Sequence, residues 1–208
     1  MDADPIEIRV LGSLIEKQRT TPDAYPLSLN SLRLACNQST NRDPVVDYDE
    51  ATIRAALERL SRKEWVRLAS GAGSRAVKYR HLLDGALGLP DEEMALLCVL
   101  MLRGPQTPGE LKQRTERLHP FPDLAAVEGT LQSLVERGLA ERQPRRPGQK
   151  EERYVQLLGA DSEAAAPRGS VAPPSAEAAP GLEERVERLE REVEALRAAL
   201  ERLGGPAD

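Results

Sequence analysis

Aromatic side chains are scarce in this sequence: among 208 residues there are one Trp, one Phe and four Tyr. Stacking of unpaired bases needs a run of exposed rings, so the chain offers no platform for single strands. Cysteine occurs only twice, at Cys36 and Cys98, 62 positions apart and inside helix-like apolar stretches. That spacing assembles neither a disulfide framework nor a zinc knuckle, and two buried thiols are expected. The two histidines, His81 and His119, have no Glu or Cys at metal-ligand spacing. No glycine-rich loop follows a strand and opens a helix, as phosphate cradles require. No cofactor, no metal and no catalytic residue are therefore expected. The longest apolar run, Met94 to Leu102, is nine residues, against the roughly 20 of a spanning helix. Met1-Asp2-Ala3-Asp4 lacks the basic and apolar blocks of a secretory signal. A cytoplasmic protein away from the membrane is expected.

The charge that is present is unevenly spread. The net charge is -5, yet residues 1–158 carry 23 Lys/Arg and 23 Asp/Glu, so the whole acidic excess lies beyond them. Within the neutral part, residues 65–83 hold Arg67, Arg75, Lys78 and Arg80 without an acid, and residues 142–150 hold Arg142, Arg145, Arg146 and Lys150 without one. Two cationic segments in a neutral body keep nucleic acid open as a partner.

Helix signals open both halves. Asp4-Pro5-Ile6-Glu7 supplies an N-cap acceptor, a proline at the first helical position and a carboxylate that reaches back to the cap. Pro90-Asp91-Glu92-Glu93 introduces Met94, Leu97, Cys98 and Met101 in the same way, before Gly104-Pro105. A second helix is predicted over Ser28 to Cys36, and another from the capping box Thr107/Glu110 to Thr115. Third helices carry Ile53, Leu57, Leu60 and then Val127, Leu131, Leu134, a constant offset of 74 that continues from Trp65 to Leu139. After one inserted residue, Tyr79 matches Tyr154 and Leu82-Leu83 matches Leu157-Leu158. Register kept over this length indicates a duplicated unit.

Strand chemistry follows each third helix. Val66 and Leu68 alternate with Arg67, Ser70 to Ser74 turns the chain, and Val77 and Tyr79 alternate with Lys78 and Arg80. This predicts a hairpin with apolar residues inward and basic ones outward. The second copy runs from Leu139 to Arg142 and returns through Tyr154 to Leu157. The expected fold is mainly α with small β-hairpins: a winged helix over residues 1–84 and another over 85–158, joined by a connector at Asp84 to Leu89. Residues 159–181, rich in Ala and Pro, should be a disordered linker. In residues 182–203, Leu182, Val186, Leu189, Val193, Leu196, Leu200 and Leu203 are spaced alternately by 4 and 3. Valine at two a positions and leucine at d favour a parallel coiled-coil homodimer. The alternative is a single amphipathic helix folded back on a domain, because three heptads are marginal alone.

Three strings also resemble a known family. Thr21-Pro22-Asp23-Ala24-Tyr25-Pro26-Leu27-Ser28-Leu29-Asn30, Cys36 to Pro44 (Cys-Asn-Gln-Ser-Thr-Asn-Arg-Asp-Pro) and Leu102 to Leu111 (Leu-Arg-Gly-Pro-Gln-Thr-Pro-Gly-Glu-Leu) are similar to the YceH-like family of bacterial proteins. The resemblance covers about residues 5–158. It implies a tandem winged-helix fold in a bacterial cytosol, often with a C-terminal coil, and it implies no activity.

Duplex DNA is the expected partner. A winged helix sets its third helix in the major groove and its hairpin along phosphates or the minor groove. The candidate contacts are Arg54 and Arg62 on the first third helix, Arg75 and Lys78 on the first hairpin, and Arg142, Arg145, Arg146 and Lys150 on the second. Glu50 and Glu58 dilute the first helix, and Glu128, Gln132 and Glu136 make the second one acidic. Asn37, Gln38, Asn41 and Arg42 form a candidate binding loop, since these side chains can pair with base edges; a purely structural loop is the plainer reading. The rival function is a non-enzymatic protein–protein adaptor.

Overall fold

The computed structural model describes residues 3–69, 77–145 and 151–159, all within one compact unit. The seven expected tail residues from Leu182 to Leu203 lie outside the described residues, as do residues 160–181 of the expected linker and both hairpin tips.

Helix α1 (Pro5–Thr20) starts where the local chemistry dictates. The Asp4 carboxylate accepts from the amides of Ile6 and Glu7 at 2.8 Å, and Glu7 accepts from the Asp4 amide at 2.8 Å. Strand β1 (Leu27–Ser28) and helix α2 (Leu29–Cys36) follow, with Ser28 as the N-cap. Helix α3 (Glu50–Arg62) is capped by Asp49 and buries Ile53, Ala56, Leu57 and Leu60 on one stripe. Strands β2 (Val66–Leu68) and β3 (Lys78–His81) form the ribbon.

A short helix, α4 (Leu83–Leu87), leads into the second half. There α5 (Asp91–Arg103), α6 (Pro108–Thr115), α7 (Leu124–Glu136), β4 (Ala140–Gln143) and β5 (Arg153–Gln156) repeat the order of the first. The protein is thus mostly helical with small antiparallel sheets.

The offset read from the sequence holds at the level of caps and turns. Helices α3 and α7 are both 13 residues long. Their N-caps Asp49 and Asp123, C-caps Lys63 and Arg137, and the positive-φ residues Glu64 and Gly138 are each 74 positions apart. Even the minor strand recurs. Leu27 of β1 pairs with Tyr79, and Gln106 makes an antiparallel bridge to Tyr154 through two backbone hydrogen bonds of 3.0 and 2.8 Å.

Both halves share a core. Every residue from Met94 to Leu102 is buried, which explains the nine-residue apolar run: α5 is packed by α1, α6, α7 and β5, so it has no solvent face to mark with polar residues. Gly12 lets α1 approach so closely that a Cβ there would lie 2.9 Å from Leu102. The ends of the unit also meet, with the Ala3 amide donating to the Leu158 carbonyl at 3.0 Å.

One expectation needs correction, and two features were not read from the sequence. The connector from Asp84 to Leu89 carries a short helix; Leu83 is fully buried and anchors α4, which Gly88 ends at φ +60°. The ribbon's apolar residues are not all inward. Val66 is 2% exposed but Leu68 and Val77 are 58% and 53% exposed, because the ribbon projects past the helices that cover its base. Strand β1 was not anticipated, since two residues carry no periodicity.

Candidate nucleic-acid interface

In each repeat the third helix and the ribbon flank a cleft. The first, of about 190 Å3, is lined by Arg54, Leu57, Glu58 and Ser61 from α3 and by Arg67, Leu68 and Tyr79 from the ribbon. The second, of about 490 Å3, lies between Glu128 and Gln132 of α7, Gly109 at the start of α6, and Arg142, Glu152 and Tyr154 of the other ribbon.

Their electrostatics differ. On α3, Arg54 and Arg62 are exposed, alongside Glu50 and Glu58. On the first ribbon, Arg67 sits directly opposite Arg80, and Lys78 is two residues along the same face. Among the described residues, none of these five cations has a carboxylate within ion-pair reach. In the second repeat three of the described cations are engaged, and Arg145 is not. Arg142 pairs with Glu152 at 2.6 Å, Arg153 with Glu110 at 2.9 Å, and Arg137 with Glu93 at 2.6 Å. The Arg142 guanidinium holds the Glu152 carboxyl below the usual carboxylate range, and its own pKa rises in return. The exposed face of α7 presents Glu128, Gln132 and Glu136.

Of the expected contacts, then, Arg54 and Arg62 are exposed on α3 and Lys78 is half-buried on β3. Arg142 is neutralised across its own ribbon, a pairing that adjacent strands permit and a linear reading cannot see. Arg145 is exposed at the second cleft. Arg75, Arg146 and Lys150 lie outside the described residues.

The candidate loop is committed internally. Asn37 donates to the Tyr48 carbonyl at 2.8 Å and accepts from the Tyr48 amide at 2.9 Å. Gln38 accepts from Arg42 and Lys17. The Arg42 side chain is fully buried, with Nη1 and Nη2 on Glu16 at 3.1 and 2.6 Å and Nη2 also on the Ala35 carbonyl at 2.9 Å. Burial pushes the Glu16 carboxyl up, but the hydrogen bonds and charge of Arg42 outweigh it and the net shift is downward. Asn41, at φ +60°, accepts from Arg103, and the Asp43 amide donates to the Leu102 carbonyl at 2.9 Å. The loop fastens α1, α2 and the end of α5 to one another. Its buried guanidinium is out of reach of a base edge.

Both thiols and one of the two imidazoles are withdrawn from solvent. Burial pushes the Cys36 thiol up to about 11 and the Cys98 thiol higher still. His81 is 1% exposed, and burial pushes its pKa down to about 4, leaving a neutral ring whose Nε2 meets Gln18.

Residues 3–149 match the family described as "Protein of unknown function, DUF480". The chain belongs to the DUF480 family. It is 53% identical over 163 residues to a UPF0502 protein of Geotalea daltonii, covering 77% of this chain and 74% of that one. It is 55% identical over 162 residues to a UPF0502 protein of Pelobacter propionicus, with the same coverage of 77% and 74%. A UPF0502 protein of an Azoarcus species is 50% identical over 171 residues, covering 81% and 76%. The DUF480 match spans the body of both repeats, and it agrees with the bacterial family that the three strings resemble. No helix among the described residues is long and apolar enough to cross a membrane.

Two features escaped sequence reasoning. The opposition of Arg67 and Arg80 follows from strand register, which the hairpin length alone did not give. The buried Glu93–Arg137 pair joins residues 44 apart. Its signal was helix position: Glu7 is the third residue of α1 as Glu93 is of α5, and its partner Lys63 is the C-cap of α3 as Arg137 is of α7.

Proposed function

We propose that this chain is a non-catalytic, cytosolic, duplex-DNA-binding protein built from two winged helices, with the first repeat making the contact. The order helix, strand, helix, helix, strand, strand in the first half, repeated in the second with the single bridge at Gln106 in place of the first strand, is that of a winged helix, which offers its third helix to the major groove and its ribbon to the phosphates. The observation that carries the reading is the asymmetry of charge. In the first repeat five cations on α3 and the ribbon have no carboxylate partner among the described residues. In the second, the matching surface among the described residues is acidic or neutralised except at Arg145. Glu50 and Glu58 limit base reading by α3, so sequence preference is modest.

One such contact per chain is weak. The heptads of residues 182–203 would join two chains, and pairing two modest contacts raises the overall affinity by effective concentration. The adaptor reading is favoured by a different observation, the exposure of Leu68 and Val77 beside the first cleft.

The test is the full chain titrated against labelled duplex DNA at a series of salt concentrations. Affinity should fall linearly on a log–log plot, and Arg54→Ala with Arg62→Ala should weaken it. No binding at low salt, or a flat salt response, would reject DNA and leave the adaptor.

A further inference from the structure

We infer that Arg67 and Arg80 form a two-guanidinium clamp for a phosphate group, with Lys78 as its third cation. This rests on, and deepens, the DNA reading, since the phosphodiester backbone is the ligand it fits.

Arg67 of β2 and Arg80 of β3 are direct cross-strand partners, so their side chains leave the same face of the ribbon about 5 Å apart. Lys78 lies diagonally across on that face. Like charges placed so are destabilising unless something else compensates. Here no carboxylate among the described residues does so, although the second ribbon shows that such pairing is easily arranged.

The Nε of Arg80 is buried and has no hydrogen-bond partner. Guanidinium forks suit this ligand, because their N–H groups match the spacing of phosphate oxygens.

The repeat supplies a control. Arg67 and Arg80 correspond to Glu141 and Val155, which are likewise cross-strand partners in the second ribbon. The ribbon scaffold therefore does not require two arginines. Their coincidence is particular to the first ribbon, the one next to the cationic third helix.

A free phosphate and a DNA phosphodiester share this chemistry, and two arms separate them. In the first, the full chain is unfolded thermally near neutral pH while inorganic phosphate replaces chloride at constant ionic strength. Ligand held only by the folded state raises the midpoint. The wild type should show a rise that Arg67→Gln and Arg80→Gln each remove and Arg117→Gln, at an exposed position beyond α6 in the second repeat, retains. Arg67→Gln, an exposed position relieved of its like-charged neighbour, should be at least as stable as the wild type in chloride. An equal rise in all four proteins would overturn the clamp, since it would be the general salting effect of phosphate.

In the second arm, the double variant Arg67→Gln, Arg80→Gln should bind duplex DNA more weakly across sequences and lower the salt slope by about 2. A phosphate-specific rise without duplex binding would uphold the clamp and reject the DNA function. Duplex binding with an unchanged slope, and no specific rise, would reject the clamp and leave DNA held elsewhere.

Discussion

The carboxylate of Glu93, third residue of α5, accepts from Arg137 at the C-cap of α7 at 2.6 Å, and in the other repeat Glu7, third residue of α1, accepts from Lys63 at the C-cap of α3 at 2.8 Å. Both carboxylates are nearly fully buried. Each sits at a positive helix start and each cation at a negative helix end, so the pair joins opposite dipole termini. The result is a strut, present twice, that sets the angle at which the third helix leaves the core. It ties the helix proposed to face DNA to the helix that fastens the two repeats together.

Removing one partner of such a strut leaves the other buried without its charge. Glu93→Gln should destabilise the protein by about 2 kcal/mol, below the range for fully buried pairs because Arg137 keeps a third of its surface in solvent. Urea unfolding measures this. Arg137→Gln and the double variant close a cycle, and the coupling should exceed about 0.5 kcal/mol if the contact is energetic rather than incidental.

The two residues just beyond the struts offer a cleaner comparison. Glu64 and Gly138 have φ of +60° and +67° at matching positions, and a Cβ at Gly138 would meet no atom within 4 Å. Only backbone strain separates them. Glu64→Gly should stabilise by up to about 1 kcal/mol, and Gly138→Ala should destabilise by about 1 kcal/mol. Opposite signs in the two repeats, read by urea midpoints, are the result to look for.

Much of the fold was legible because it is local. Caps such as Asp4 and Thr107, and apolar stripes such as Ile53, Leu57 and Leu60, act within one or two turns, and they stood where expected. The duplication multiplied these signals. What stayed hidden depends on contacts between distant segments. Arg42 reads as a loop cation until Glu16, 26 residues away, is placed against it. Arg142 reads as free until the returning strand brings Glu152 alongside. In the candidate site, exposure of Arg54 and Arg62 followed from the helical stripe, but the opposition of Arg67 to Arg80 needed the strand register.

His81 gives a prediction in pH. It sits at the end of β3 beside Gln18, Tyr25 and Asp84, with Arg19 and Arg80 nearby, and burial pushes its pKa from 6.5 down to about 4. In the window between those values the unfolded chain binds a proton that the folded chain does not, so stability falls as pH drops from 6.5 toward 4. By pH 5 the loss from this one ring should be about 2 kcal/mol. Urea unfolding of the wild type and His81→Gln across this range should show the difference between them shrinking as pH falls. A constant difference would mean that the ring titrates normally.

The shared core makes its own prediction at Gly12. Alanine in a helix is favoured over glycine by about 1 kcal/mol, which alone would make Gly12→Ala stabilising. The added methyl, however, would lie 2.9 Å from Cγ and Cδ2 of Leu102 and 3.1 Å from Cβ of Met101. These are buried atoms near the α5 backbone, so they cannot swing aside as the end of a long side chain would. Overpacking of this kind costs roughly 1–3 kcal/mol, so the net change should be destabilising. If α1 is pushed off α5 the two repeats should also begin to separate, and urea unfolding should broaden or split instead of merely shifting. An unchanged or raised midpoint would show that α1 and α5 are not held as closely as the shared core requires.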